Sequence, residues 1–212
     1  EKMPLQEKLE AVFKAEELTR KSSHMVQTAS VVYNEMFDDK IVLTTDGANA
    51  VSQLSRNELR FSAVASRDGE MAEGHQTVGR TGSWECLFSE HSMNQMSEAA
   101  AELAVDLLKA PRLPGGPATL ILSPAMVGLL SHEAIGHTVE ADFVLSGSIA
   151  AGKIGTKIAS ELITLCDGGI VEGTSHGGGD LLVDDEGVPT QTTVIIQNGI
   201  LSSYLHNRES AA

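Results

Sequence analysis

Apolar side chains near the start of the chain recur with the spacing of an amphipathic helix. They fall at i, i+4, i+7 and i+8, at Leu5, Leu9, Val12 and Phe13. The preceding residue, Pro4, suits a first helical turn because its missing N–H would have no partner there. A helix is therefore predicted over residues 4–21, with its apolar face packed on a sheet.

The pattern changes to strand-like runs separated by turn-forming pairs between residues 25 and 88. The runs are Val31-Val32-Tyr33, Ile41-Val42-Leu43 and the alternating Leu59, Phe61, Ala63 and Ala65, and the pairs are Asp38-Asp39, Asp46-Gly47 and Asp68-Gly69. β-Branched and aromatic residues favour strands, whereas Asp and Gly favour tight turns. This order predicts an antiparallel meander.

A second helical pattern follows the meander and ends in a segment rich in proline and glycine. Its apolar positions are Met96, Ala99, Ala100, Leu103, Leu107 and Leu108. Residues 111–117 have the composition of a linker, with three prolines and two glycines. The chain is therefore predicted to divide into an N-terminal α/β portion at residues 1–110 and a second portion at residues 118–212.

The second portion combines short strand signals with one apolar helical run. Strands are predicted at Ala118–Leu122, Leu162–Leu165 and Thr192–Ile196, a helix from Pro124, and a two-residue hairpin turn at Asn198-Gly199. The predicted fold class is α+β, with mixed or antiparallel sheets, packed helices and a metal-binding helix around residues 124–141.

Charge and cysteine content narrow the classes of function. Acidic residues outnumber basic ones 29 to 15, which gives a net charge of -14. Such a chain repels phosphate backbones and anionic lipid, so we expect neither a nucleic-acid nor a membrane partner. The two cysteines, Cys86 and Cys166, are too few for a disulfide framework, which favours a cytoplasmic location.

His132-Glu133 and His137 supply the residue types of a hydrolytic zinc site. Such a site needs neutral imidazoles, an open position for water and a carboxylate that accepts a proton from that water. The histidines are five positions apart, which leaves them about 140° apart on an ideal helix. We therefore predict a π-bulge, a kink or a helix end between them, and Gly136 is the residue that best tolerates one.

Three other segments carry residue types that bind ligands in some proteins, but they are weaker candidates for a functional site. Gly147 to Lys153 has the spacing of a phosphate-binding loop, but the next residue is Ile154, where that loop needs a hydroxyl for magnesium. His176, in a glycine-rich segment, is a possible further ligand. Asp184-Asp185-Glu186 is predicted to be a solvated turn.

Three segments together resemble the TldD branch of the TldD/PmbA family of metallopeptidases. They are SHEAIGHTVEAD at 131–142, DDEGVPT at 184–190 and YLHNRE at 204–209. The resemblance runs along all 212 residues. It implies a cytoplasmic zinc protease that acts on unfolded or extended peptides. It also implies a homodimer, or a heterodimer with a PmbA-type subunit that lacks the motif.

Carried over by position, the resemblance implies that His132 and His137 bind one zinc ion and that Glu133 is the catalytic general base. In the family a cysteine downstream of the acidic turn completes the site, so the third ligand is expected beyond Ala212. We therefore regard the chain as truncated at its C-terminus.

The isolated chain is accordingly expected to be inactive and to bind zinc poorly. That expectation fails if one of four other residues reaches the metal, namely His176, His206, Glu140 or Cys166. The alternative function is a non-catalytic regulatory subunit that binds a peptide or a partner and uses the two histidines structurally.

Overall fold

Two compact units make up the computed structural model, which describes residues 3–170 and 177–212. The first unit takes in residues 1–41, 51–114 and 174–180. The second takes in residues 42–50, 115–173 and 181–212. Each unit therefore draws on segments that are distant in sequence.

The first unit is a three-stranded sheet covered by helices. Helix α1 spans Leu5–Lys21, which confirms the first predicted helix, and the strands are β1 (Val26–Leu43), β2 (Asn49–Arg67) and β3 (Glu70–Thr81). The sheet order is β1-β2-β3, and β2 pairs with β3 antiparallel over twelve residues of β3. The predicted α+β class and meander are confirmed.

One of the three predicted turns does not exist. Asp38-Asp39 lies inside β1, which runs unbroken from Val26 to Leu43. Aspartate disfavours strands only by its local propensity, and a long neighbouring strand outweighs that preference. The other two turns form, and at Asp68-Gly69 both residues have positive φ, of 54° and 86°, as a two-residue hairpin turn requires.

Helix α2 (Met93–Leu107) confirms the second predicted helix and lies on the sheet. It begins with a capping box in which Ser92 and Gln95 bond to each other's backbone N–H. A 3₁₀ turn at Trp84–Phe88 precedes it. No helix in the described ranges is long and apolar enough to cross a membrane.

The core of the first unit lies between the sheet and its helices. Alternate residues of β2 face the helices, and four of them are at most 1% exposed, Leu59, Phe61, Ala63 and Ala65. They pack with Trp84 and with small residues of α2. Strand alternation in β2 thus buries the apolar positions that the sequence predicts.

The apolar face predicted for α1 is wrong: Leu5, Leu9 and Phe13 are 68%, 42% and 71% exposed. The residues that α1 buries are Ala15, Thr19 and Lys8, which pairs with Glu35. Local spacing groups apolar residues on one face of a helix but does not decide which face packs on the sheet.

The second unit carries a chain of short helical segments and a small sheet. The helical segments are α3 (Pro124–Leu130), a π-helix at Ser131–Gly136, a 3₁₀ turn at His137–Val139 and α4 (Ala141–Leu145). The strands are β4 (Leu165–Asp167), β5 (Thr193–Gln197) and β6 (Ile200–Leu201), paired antiparallel in the order β4-β5-β6. Val139, Ile195 and Leu201 lie in its core.

The strand predictions for this unit are partly wrong. Ala118–Leu122 is not a strand, and Ile121 is fully exposed. An apolar run becomes a strand only where a neighbouring strand bonds to its backbone, and the described residues supply none there. The strand predicted at Leu162–Leu165 begins only at Leu165, where pairing with Ile196 starts. The hairpin at Asn198-Gly199 is confirmed.

Candidate metal centre

The helical run after Pro124 changes type where the histidines lie. It passes from α-helix to π-helix at Ser131, and then to a 3₁₀ turn at His137. The backbone N–H of His137 donates to the carbonyl of His132, five residues earlier. A bond of that span places residues five apart one above the other. The predicted departure from regular α-helix between the histidines is confirmed.

This distortion brings the two imidazoles together. The ring centroids of His132 and His137 are 4.6 Å apart, and the rings meet edge to face at 70°. Gly136 lies in the last turn of the π-helix, with φ −48° and ψ −60°. A regular helix with the same spacing would point the rings apart.

His132, Glu133 and His137 form a donor set that fits zinc. Their ligand atoms all lie within 4.8 Å of one another, and all three residues are exposed. Two nitrogens that share a zinc ion can be at most about 4.2 Å apart, because each lies about 2.1 Å from it. Small rotations of exposed side chains close such a difference. Two imidazoles with an adjacent carboxylate match the residue types of a hydrolytic zinc site.

A fourth residue, Glu140, forms a hydrogen bond with one of the two imidazoles. Nδ1 of His137 lies 2.8 Å from Oε1 of Glu140. An ionised carboxylate can only accept, so the Nδ1–H of His137 donates this bond, and in the neutral imidazole Nε2 then keeps its lone pair. The described geometry therefore leaves Nε2 as the nitrogen that can bind a metal.

The backbone beside Glu140 is anchored to the chain near Leu205. The N–H of Ala141 donates to the carbonyl of Leu205 over 2.8 Å, and the N–H of Leu205 donates to the carbonyl of Val139 over 2.9 Å. Glu140 and Leu205 form a parallel bridge. Local sequence gives no sign of this contact, because its two partners are about 65 positions apart.

Three of the four other candidate ligands do not join the site. Within the described residues, only His132, Glu133 and His137 form a cluster of three or more metal-ligating side chains. Glu140, Cys166 and His206 are outside that cluster, and the imidazole of His206 is bonded to Ser210 instead. His176 lies outside the residues that the structure describes.

The acidic turn has a structural role in this arrangement. Oδ1 of Asp184 accepts from the backbone N–H groups of Glu186 and Val188, over 2.9 Å and 2.8 Å. Glu186 in turn accepts from the backbone N–H of Arg208, whose guanidinium pairs with Asp46. These contacts tie together three segments of the second unit that are distant in sequence.

Lys153 has the wrong surroundings for a phosphate-binding loop. That loop needs a helix directly after the lysine, so that free N–H groups point at the phosphates. Here the chain continues from Lys153 through turns to Lys157. Lys153 instead lines a cavity of about 240 Å³ with apolar residues that include Ile135 and Leu201.

Two domain families match the chain almost from end to end. The PmbA/TldA metallopeptidase central domain matches residues 1–108, and the PmbA/TldA metallopeptidase C-terminal domain matches residues 115–212. The second match includes the whole His-Glu-His segment.

Two relatives carry protease names. A metalloprotease of Methanocaldococcus jannaschii is 35% identical over 189 residues, which cover 88% of this chain and 40% of the relative. A protein of Saccharolobus solfataricus, named a zinc metalloprotease and TldD homologue, is 27% identical over 188 residues, which cover 88% of this chain and 41% of the relative. The chain thus spans less than half of the length of these relatives.

A solved structure shares the fold. The crystal structure of a Thermotoga maritima protein, described as a candidate modulator of a DNA gyrase, matches 99% of this chain and 47% of its own with a TM-score of 0.80. The two sequences are 24% identical. The similarity concerns the fold alone.

Proposed function

Because this chain belongs to the PmbA/TldD family of metallopeptidases, we propose that it carries the metal site of a zinc-dependent enzyme that hydrolyses peptide bonds. The observation that carries this proposal is the π-helix, which brings His132, Glu133 and His137 within 4.8 Å of one another. A purely structural pair of helix histidines has no need of that distortion.

His132 and His137 are the proposed metal ligands, and Glu133 is the proposed general base. Zinc would supply a water of lowered pKa, near 7, and would polarise the peptide carbonyl. Glu133 lies directly beside His132 and is exposed, so that its carboxylate can take a proton from the attacking water and pass it to the leaving amine. The zinc name of one relative supports the choice of metal.

Two imidazoles do not complete such a site. Catalytic zinc takes three protein ligands, and no further residue of the described ranges joins the cluster. We propose that the third ligand comes from beyond Ala212, consistent with relatives that are more than twice as long as the region they share with this chain. The 212-residue chain alone should then bind zinc weakly and hydrolyse no peptide.

Unfolded or extended peptides are the proposed substrates. An extended backbone can form main-chain hydrogen bonds with the edge of a sheet whatever its side chains are. The sheet β4-β5-β6 of the second unit has such edges. We also propose a cytoplasmic dimer, either with a second copy or with a PmbA-type subunit.

Glu133→Gln tests the catalytic assignment. In a full-length protein that carries this chain, the variant should keep its zinc and lose about 10²-fold or more in peptide hydrolysis, because only the proton acceptor is removed. Glu161→Gln is a matched control, since Glu161 is an exposed glutamate outside the metal cluster. Zinc content by atomic emission and hydrolysis of an unstructured peptide are measured together.

Two results would reject the proposal. Near-normal hydrolysis by Glu133→Gln would remove Glu133 from the mechanism. A wild-type protein without zinc, whose peptide binding is unchanged by His132→Ala, would favour the non-catalytic regulatory subunit instead.

A further inference from the structure

Glu140 is placed to control the metal site without belonging to the ligand cluster. It lies three residues after His137, and its Oε1 is 2.8 Å from Nδ1 of that imidazole. Resting on the proposed function above, we propose that Glu140 is a positioning residue: it holds His137 as the Nδ1–H tautomer and presents Nε2 to the metal. A carboxylate that accepts from a ligating imidazole fixes the ring and raises its basicity.

The backbone of Glu140 makes this contact more than a flexible surface pair. Surface ion pairs of half-exposed side chains contribute little on their own, because both side chains lose freedom when they meet. Here the residues on either side of Glu140 bond to the backbone of Leu205. Glu140 therefore starts from a fixed position, and only its own side-chain torsions remain to be ordered.

The 3₁₀ turn that carries His137 is held by further contacts. The hydroxyl of Thr138 donates to the carbonyl of Ile135 over 2.9 Å, and the hydroxyl of Ser148 donates to the carbonyl of Thr138. Val139, in the same turn, is 1% exposed. The backbone at both His137 and Glu140 is thus held in place by these contacts. Only the side-chain torsions of the two residues then set the orientation of the imidazole ring.

Removing the Glu140 side chain should not disturb the fold. Glu140 is the N-cap residue of α4, but its side chain makes no capping hydrogen bond. Glu140→Ala therefore removes the contact with His137 and no described cap. Asp142→Ala is a matched control, because Asp142 is an exposed carboxylate two residues further on. Among the described residues its side chain accepts a hydrogen bond only from the adjacent N–H of Phe143.

The first measurement needs no metal. Nitrogen NMR of the histidine rings in metal-free protein, at about pH 8.5 where imidazole is neutral, should show His137 as the Nδ1–H tautomer. Glu140→Ala should shift it to the Nε2–H form that free imidazole prefers. Glu140→Gln should largely keep the Nδ1–H form, because its amide oxygen still accepts. An Nε2–H tautomer in the wild type, or no change in Glu140→Ala, would overturn the proposal.

The second measurement is zinc affinity, by competition with a chelator, in a full-length protein that carries this chain. Glu140→Ala should weaken zinc binding by about 10- to 100-fold, with Glu140→Gln closer to the wild type and Asp142→Ala within about twofold of it. Unchanged affinity in Glu140→Ala would refute positioning. Equal losses in both Glu140 variants, with the tautomer kept in Glu140→Gln, would make Glu140 a direct ligand instead. If the proposed function is wrong but the positioning role is right, the wild type will bind no zinc and the tautomer result will still hold.

Discussion

The β-meander of the first unit differs from the metal-site segment of the second unit, residues 124–145, in the burial of its key side chains and in the regularity of the helices involved. In the meander, Leu59 and Phe61 are at most 1% exposed, and the helices α1 and α2 that cover it are regular. In the metal-site segment, three helix types succeed one another within 16 residues, and all three proposed functional residues are exposed.

The difference shows where each part of the molecule obtains its stability. Buried apolar area stabilises the meander, at about 25 cal/mol for each Å² removed from water. The metal-site segment instead depends on backbone contacts such as the one between Glu140 and Leu205, and on Val139 beneath it. Side chains that bind a metal or a substrate must be open to solvent, so these residues add little to the hydrophobic core.

Truncating a core residue of the meander should have the largest effect. Phe61→Ala should lower the free energy of unfolding of the first unit by about 3–5 kcal/mol, because it leaves a cavity between sheet and helices. Trp84 is the only tryptophan and is 6% exposed in that unit, so its fluorescence in a urea titration reports this unfolding.

Phe13→Ala provides the matched control for this prediction. Phe13 is 71% exposed on α1, so its truncation should change the same unfolding free energy by less than about 1 kcal/mol. Equal losses in the two variants would mean that burial does not distinguish these positions.

A methyl group at Gly74 should have the next largest effect. The Cβ of Gly74→Ala would lie 2.3 Å from the carbonyl oxygen of Ala100 and 2.4 Å from the backbone nitrogen of Ala104. These are backbone atoms of α2, so the helix must move off the sheet, at a cost of about 1–3 kcal/mol or more. The shift in the urea midpoint of Trp84 fluorescence measures this.

Gly79→Ala in the same strand tests the steric explanation. The nearest atom to its added methyl group is the carbonyl oxygen of Asn57 at 3.9 Å, an ordinary contact. Stability should change by less than about 1 kcal/mol. If Gly79→Ala were as harmful as Gly74→Ala, loss of strand glycine rather than helix contact would be responsible.

The smallest effect on stability is expected at the two proposed metal ligands. His132→Ala and His137→Ala should each change the unfolding free energy by no more than about 0.5 kcal/mol, because both side chains are exposed. In a full-length protein that carries this chain, each should nevertheless abolish measurable zinc binding. Thermal melting by circular dichroism and a zinc titration are made on the same samples.

Ile196→Ala sharpens this contrast within the second unit. Ile196 is 1% exposed, so the variant should lose about 2–5 kcal/mol while its histidines remain in place. A large melting shift in His132→Ala would show that the imidazoles also support the fold, and would weaken the division between core and site.

Elements with a strong local signal were predictable. The helical spacing of Leu5 and Leu9 and the hairpin pair Asn198-Gly199 lead directly to the observed elements, because periodicity and positive φ are properties of a few adjacent residues. The departure from α-helix between the histidines was predictable for a similar reason, since a spacing of five matches the π-helical bond.

Elements that depend on a distant partner were not predictable in this way. Ala118–Leu122 has the composition of a strand but no neighbouring strand within the described residues, and Asp38-Asp39 has the composition of a turn but lies inside β1. In both cases the outcome depends on backbone hydrogen bonds to residues that the local pattern does not include.

The sequence by itself determined the family, the donor set and the need for a distorted helix, because these follow from residue identity and spacing over a few positions. The tertiary structure alone decided which nitrogen of His137 lies against Glu140 and which is left for the proposed metal. The position of Glu140 is set by backbone hydrogen bonds between its two neighbours in sequence and Leu205. Contacts between segments so far apart in sequence form only when the chain folds.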